Sequence, residues 1–390
     1  MAESKSAGDR DRARIDSIDV LRGLVMVVMA LDHTREYFHL SAAGIDATDP
    51  ARSYAILYAT RWVTYFCAPT FVLLTGLSVW LRGRTIPWQA MFRFLVARGL
   101  WLILLELTVV ATGFTFRPGY FFLQVIWVIG ASLILLAFLS RLPSWAVLAI
   151  GLAIIAGHDL LDPMMAGRVG GQAGWLDFLD GRFAFVTVGP FKGVLLYSLL
   201  GWAGIMFVGY GMAPVFRWAR DRRERLLAAI GLAMIVAFLV LRWIDRYGDF
   251  FPWTAGPTFS RTVMAFLRIS KYPPSLDYAL ATLGPMLLLL AFLERWRGKA
   301  MEIFRTYGRV PFFYYILHIY LIHGAATVLG LLQGRRFAEF TDPINPPAGF
   351  GIPLWAVYLC WIAIVAALYP ACRWFEALRR RRRDWWLSYL

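Results

Sequence analysis

Apolar runs of about twenty residues recur along this chain, the length a helix needs to cross hydrocarbon about 30 Å thick. They cover residues 18–38, 56–81, 92–113, 121–139, 144–160, 191–214, 226–244, 275–295, 310–332 and 353–374. A backbone in hydrocarbon must satisfy its own hydrogen bonds, so each run is expected to be helical. The expected fold is therefore all-α, a polytopic membrane helical bundle of about ten transmembrane helices. Composition agrees, with 17% charged residues where a soluble chain carries about 25%. The linkers 161–190 and 245–274 are too polar to span, and their aromatics Trp175, Phe178 and Trp253 suit sugar faces as well as an interface. No tandem repeat or soluble domain is evident. The expected division is a basic tail 1–17, a transmembrane domain 18–375 and a second basic tail 376–390.

The formal charge of +15 comes from short clusters between apolar runs. Lys5, Arg10, Arg12 and Arg14 precede the first run, and Arg82 and Arg84 follow the second. Arg217 to Arg225, then Arg297 to Arg309, and finally Arg379 to Arg383 continue the series. With ten helices all of these fall on one side, which the positive-inside rule makes cytoplasmic, so both termini are expected there. That pattern explains the basic charge through topology and a lipid bilayer, with no nucleic-acid partner. The first run is broken by polar residues from Asp32 to Glu36 before any small-residue cleavage site, so it reads as a retained helix. Cys67, Cys360 and Cys372 all lie in apolar segments and form no CxxC pair, which suggests neither a disulfide nor a metal site.

The stretch "VMVVMALDHTREYF" from Val25 places Asp32 and His33 in the first span. A charge near a helix centre costs roughly 2.5–3.5 kcal/mol to insert, so such groups mark function or demand a partner. Entering near Ile18, the helix carries His33 about 22 Å deep, in the outer third. His39, His158, His318 and His323 also fall in the outer part or at mid-depth, and Arg61, Lys192 and Asp277 lie near outer helix ends. Neighbours i and i+1 diverge on a helix, so Asp32 is poorly placed to orient His33. Glu36 and Tyr37, three and four residues on, are the better partners, while Arg61 is the expected cation for Asp32. Asp19 and Arg22 are expected to pair at the cytoplasmic end, with Gly23 making a close helix contact. Arg22 could equally meet an anionic ligand, since guanidinium suits phosphate. Pro69 is expected to kink the second span, and Glu106 needs a partner from another helix.

Several blocks resemble one family. They include "SIDVLRGLVMVVMALDHTREYF", "RWVTYFCAPTFVLLTGLSVWL", "LQVIWVIGASLILLA", "GWAGIMFVGYGMAPVF", "KYPPSLDYALATLGPMLLLLAFLE" and "GRVPFFYYILHIYLIH". From about residue 14 to 375 the chain is similar to bacterial multi-spanning proteins related to the catalytic domain of heparan-α-glucosaminide N-acetyltransferase. The wider transmembrane acyltransferase superfamily shares the pattern seen here as Asp19, Leu21-Arg22-Gly23 and His33. The resemblance implies a bacterial inner-membrane acyltransferase that moves an acyl group from cytoplasmic acetyl-CoA, or another acyl-CoA, to an outer acceptor, carbohydrate being suspected. It implies His33 as catalytic residue with Asp32 and Arg22 as supporting positions, and helix spacing adds Glu36 to the candidate catalytic residues. Acyl-CoA phosphates are expected at Arg22, Arg82, Arg84 and Arg309, and the acceptor side at Arg61, His158, His323 and Asp277. A proton-coupled transporter or flippase using Asp32, His33, Glu106 and His323 is the alternative, though the inverted repeats common in such proteins are not found.

Overall fold

A computed structural model of the chain describes residues 16–40, 46–165, 167–296, 298–342, 347, 349–382 and 384. Most of the expected tail 1–17, with Lys5, Arg10, Arg12 and Arg14, lies outside the described residues, as do Arg297 and Arg383. The first helix, α1 (Asp16–Phe38), follows. Then come α2 (Ala55–Thr64), α3 (Cys67–Gly83) and α4 (Trp88–Thr115), the last with a π-helical turn at Glu106–Val110. Strand β1 (Tyr120–Leu123), α5 (Val125–Leu139) and α6 (Ser144–Met165) lead to the short α7 (Trp175–Asp180). A hairpin of β2 (Ala184–Val188) and β3 (Phe191–Leu195) precedes α8 (Leu199–Arg217) and α9 (Arg220–Ile244). The chain continues through α10 (Phe259–Phe266), α11 (Leu276–Leu293), α12 (Lys299–Arg309), α13 (Pro311–Leu332) and α14 (Leu354–Arg381). Among the described residues, eight helical stretches are long and apolar enough to cross a membrane. The protein is thus an all-α polytopic bundle with a small sheet.

All ten expected runs contain a helix, and the exceptions to the length-and-apolarity rule are instructive. Helix α5 spans 15 residues. Helix α1 carries Asp16, Asp19, Arg22, Asp32, Arg35 and Glu36, too many charges for a lipid-facing helix. It lies inside the bundle, packed against α3, α11, α12, α13 and α14. Its charges therefore meet protein, the arrangement hydrocarbon requires. By contrast α9 and α14 are peripheral, burying only 22% of their apolar windows.

Three local readings are corrected. The sixth run does not begin its helix at 191: β3 pairs parallel with β1 from Tyr120↔Lys192 to Leu123↔Leu195, and antiparallel with β2. Extended backbone here is tolerable because both neighbours complete its hydrogen bonds. Residues 299–309, expected as a turn, form α12. The linkers 161–190 and 245–274 do not span, yet they carry α7, β2 and α10. The second span breaks at Tyr65–Phe66, just before Pro69, which falls in the first turn of α3 where a missing N–H costs little.

The contact expected at Gly23 is with α12. A Cβ on Gly23 would stand 1.7 Å from the Phe304 carbonyl oxygen, and one on Gly308 would stand 1.8 Å from that of Asp19. Two backbones touch because neither residue has a side chain. We predict that Gly23→Leu destabilises the protein by about 3 kcal/mol, the upper range for overpacking. Gly157→Ala, where a Cβ meets nothing within 4 Å, shifts the thermal midpoint far less. Equal midpoints by detergent-phase thermal unfolding would refute the backbone contact.

Candidate active site

The C-terminal half of α1 presents Asp32, His33 and Glu36 on successive faces, with Arg35 between them. Arg61 of α2 donates a short hydrogen bond to Asp32 Oδ2, and Arg35 donates to Asp32 Oδ1 at 3.1 Å. Both guanidiniums also approach Glu36 Oε1, at 3.4 and 3.5 Å. Two carboxylates are thus matched by two guanidiniums, which is how a buried charge cluster escapes the cost of desolvation. The Asp32–Arg61 couple expected from the sequence is present. So is the i,i+3 partner of the imidazole: His33 Nδ1 lies 3.1 Å from Glu36 Oε2. With Nδ1–H donating to that carboxylate, Nε2 keeps its lone pair. Tyr37 does not fix the imidazole. Its hydroxyl donates to the Phe114 carbonyl at 2.8 Å, because its ring points across to α4.

Asp32, His33 and Glu36 line a cavity of about 320 Å³ with Lys271, Gln124 and an aromatic wall of Phe114, Phe122, Tyr197, Tyr272 and Tyr315. A second cavity, of about 110 Å³, runs from Arg22 and Arg98 along α1, α3, α4, α5 and α13. Met29, Phe71, Val125 and Tyr315 border both, so the two spaces adjoin. Arg22 and His33 are eleven residues apart on α1, about 16 Å along its axis. The far end is polar: Arg22 donates to Asp19 Oδ1 at 3.2 Å, to the Gly308 carbonyl and to Ser78 Oγ. The Asp19–Arg22 pair is therefore formed. Arg309 pairs with Glu376 at 2.8 Å and approaches Asp19 at 3.7 Å.

The remaining expected residues distribute unevenly. Arg82 and Arg84 are exposed, their guanidiniums lying over the rings of Phe94 and Trp80, and neither borders these cavities. Arg61, expected on the acceptor side, belongs to the Asp32 cluster. His323 borders neither of these two cavities; its nitrogens lie 2.8 Å from the carbonyl oxygens of Gly113 and Phe340, so it holds Phe340, which lines the larger one. Asp277 faces Arg242 at 3.9 Å. His158 bridges Asp180 Oδ1 at 3.1 Å and the Pro274 carbonyl at 3.0 Å. Asp249 Oδ2 accepts from Ser270 N and Ser275 Oγ, both at 2.6 Å. Burial holds the Asp180 and Asp249 carboxyls above the ordinary carboxylate range, despite these hydrogen bonds. The two residues brace the segment 270–275, and only through it do they reach the cavity.

Glu106 finds a backbone amide rather than a cation: Gln124 N–H donates to its Oε1 at 2.8 Å. It sits in the π-helical turn, a distortion frequent near functional sites. The sequence reading passed over Arg35, whose signal was its i,i+3 spacing from Asp32. It also gave Lys271 no role and left His318 as a structural residue. The His318 ring centre is 5.3 Å from that of His33, with Nδ1 3.1 Å from the Tyr314 carbonyl.

Removing one partner of a buried ion pair strands the other. Arg61→Met is predicted to cost roughly 3–5 kcal/mol, and the Arg61→Met/Asp32→Asn double variant to recover most of it. Denaturant unfolding in detergent reads this as a double-mutant cycle, and additive losses would mean that the pair is not coupled.

No curated protein matches the chain at significant similarity. A family model, heparan-alpha-glucosaminide N-acetyltransferase, catalytic, matches residues 14–244, which carry Asp19, Arg22, Asp32, His33, Glu36 and Arg61. The blocks from Lys271 onward lie beyond the matched residues. With more than half its length matched and its helices arranged as a polytopic membrane bundle, the chain belongs to the family of the heparan-α-glucosaminide N-acetyltransferase catalytic domain, a family of membrane acetyltransferases.

Proposed function

We propose that the protein transfers an acetyl group from cytoplasmic acetyl-CoA to an outer-side acceptor, with His33 as the reacting base. One observation carries this reading: the His33 imidazole, oriented by Glu36, opens on a cavity that adjoins a second cavity leading to Arg22. In this reading the Arg22 end is cytoplasmic, as the positive-inside rule expects, and both termini lie on that side of the bacterial inner membrane. The nucleotide phosphates meet Arg22 and Arg309, and the pantetheine arm follows the narrow cavity along α1. Arg82 and Arg84, both exposed, add positive potential outside the entrance. An arm of about 20 Å, its general chemical length, is comparable to the helical separation of Arg22 and His33.

The chemistry follows from the tautomer. Nδ1–H donates to Glu36, so Nε2 accepts the proton of an acceptor hydroxyl or amine as that heteroatom attacks the thioester carbon. The carbon–sulfur bond then breaks, and the proton passes from His33 to the CoA thiolate. The same Nε2 can instead attack first and carry the acetyl group. Asp32, held by Arg35 and Arg61, fixes the helix face from which His33 and Glu36 project. The aromatic wall of Phe114, Phe122, Tyr197 and Tyr272 suits a carbohydrate, whose C–H faces pack on rings. Arg61, His158 and His323 support the acceptor half indirectly, by holding Asp32, the 270–275 segment and Phe340, while Asp277 faces Arg242.

Purified protein with labelled acetyl-CoA tests this. The unsubstituted protein is expected to bind acetyl-CoA and to transfer its acetyl group or hydrolyse it slowly. His33→Ala is expected to lose about 10²–10⁴-fold of that rate while still binding the donor. Label on the protein after brief exposure in the absence of acceptor distinguishes the covalent route from direct transfer. Absence of acetyl-CoA binding would refute the proposal.

A further inference from the structure

Lys271 is one of four lysines in a chain whose positive charge is otherwise arginine, and it points its ammonium into the outer cavity. The cavity's carboxylates have other partners: Asp32 and Glu36 meet Arg35 and Arg61, Glu339 meets Arg335, and Asp342 is also engaged. Among the described residues no carboxylate forms an ion pair with Lys271. Its ammonium instead lies 5.2, 5.8 and 5.9 Å from the ring centres of Tyr272, Tyr197 and Tyr65. Ring faces attract a cation, but they leave its N–H donors without an anion. The residue is only 7% exposed, so water replaces that anion poorly.

The backbone does not let Lys271 swing away. Ser270 N–H is held by Asp249, Ser275 Oγ by the same carboxylate, and the Pro274 carbonyl by His158. Lys271 and Pro274 bridge each other across the turn. A compact ammonium on a pinned turn, bordered by aromatic rings, is preorganised for negative charge.

We propose that Lys271 is the anion-receiving group of the outer cavity, taking an anionic oxygen during the reaction. The inference rests on the acetyl-transfer reading, and two sources supply such an oxygen. One is the oxyanion formed as the acceptor heteroatom bonds to the acyl carbon and the C=O electron pair moves to oxygen. That pair returns as the carbon–sulfur bond breaks, and the acceptor proton leaves through His33 to the thiolate. The other is a fixed carboxylate on the acceptor.

The test uses the full-length purified protein, labelled acetyl-CoA, and two acceptors differing by one carboxylate, a hexose and its hexuronate. Lys271→Met is expected to lose at least tenfold in kcat/KM with Lys271→Arg retaining most of the rate, and size-exclusion profiles verify that both variants fold. A fall in kcat on both acceptors and in acceptor-free hydrolysis, with KM for acetyl-CoA unchanged, assigns the oxyanion. A raised KM for the hexuronate alone assigns the acceptor carboxylate. Unchanged kinetics in Lys271→Met overturn the proposal, whatever the thermal midpoint does. If the unsubstituted protein fails to bind acetyl-CoA, the acetyl-transfer reading falls and a second arm still reads Lys271. Acetate added alone is then expected to raise the thermal midpoint of the unsubstituted protein and not that of Lys271→Met, and equal shifts would overturn it.

Discussion

The buried pairing of Asp32 with Arg61 and Arg35 is the interaction on which the interior depends. A membrane bundle has no water at its centre to screen an isolated carboxylate. Once Asp32 is on α1, the helix cannot face lipid at that level, and it is driven to the middle of the bundle. There α2 supplies one guanidinium and α1 itself supplies the other. The same placement brings His33 and Glu36 to the wall of a cavity rather than to hydrocarbon. Site and architecture therefore have one cause.

At its other end α1 meets a different constraint. Gly23 and Gly308 let the backbones of α1 and α12 touch, which puts the Gly308 carbonyl within reach of Arg22 and sets Arg309 beside Asp19. An arginine pinned from several sides is an ordered group at the mouth of the narrow cavity. Between Arg22 and the space that His33 lines, the narrow cavity is bounded by apolar residues from five helices, including Met26, Phe71, Leu102, Ile129 and Phe312. The narrow cavity thus offers a guanidinium at one end and hydrocarbon along its length, and it adjoins the space that His33 lines, a profile that suits the proposed acyl-CoA.

Much of this was legible in the amino-acid order because insertion cost is a strong filter. Asp32 had to find a cation, and Arg61 was the one at matching depth. His33 had to find a partner one turn on, and Glu36 was three residues away. Asp19, Arg22 and Gly23 announced both a pair and a contact, though not that α12 would make it. That helix was read as a basic turn because its eleven residues include Lys299, Glu302, Arg305 and Arg309, leaving too short an apolar stripe to stand out. The strands β1 and β3 escaped for a related reason. Each is four or five residues long, and each abuts an apolar helix that absorbs it into one hydrophobic run. Their parallel pairing joins segments some seventy residues apart, which no local periodicity records. Lys271 was hidden by its neighbours: a lone lysine before "YPPS" reads as a turn at an interface, and only the fold brings Tyr65 and Tyr197 around it.

The division of labour between the matched residues 14–244 and the rest has a physical basis. The charged groups around His33 (Asp32, Arg35, Glu36 and Arg61) are on α1 and α2, within a few turns of one another. The space in front of it is closed by segments from elsewhere: β1 through Phe122, the end of β3 through Leu196 and Tyr197, the 270–275 turn through Lys271 and Tyr272, and the stretch after α13 through Phe340. These segments owe their positions to pairing with one another, as β1 with β3, and to helix side chains, as His158 of α6 on Pro274 and His323 of α13 on Phe340. Changing them alters the shape and charge of the space without disturbing the Asp32 cluster. In the proposed reaction this arrangement keeps the chemistry on one central helix while loops and strands around its end shape the space in front of it.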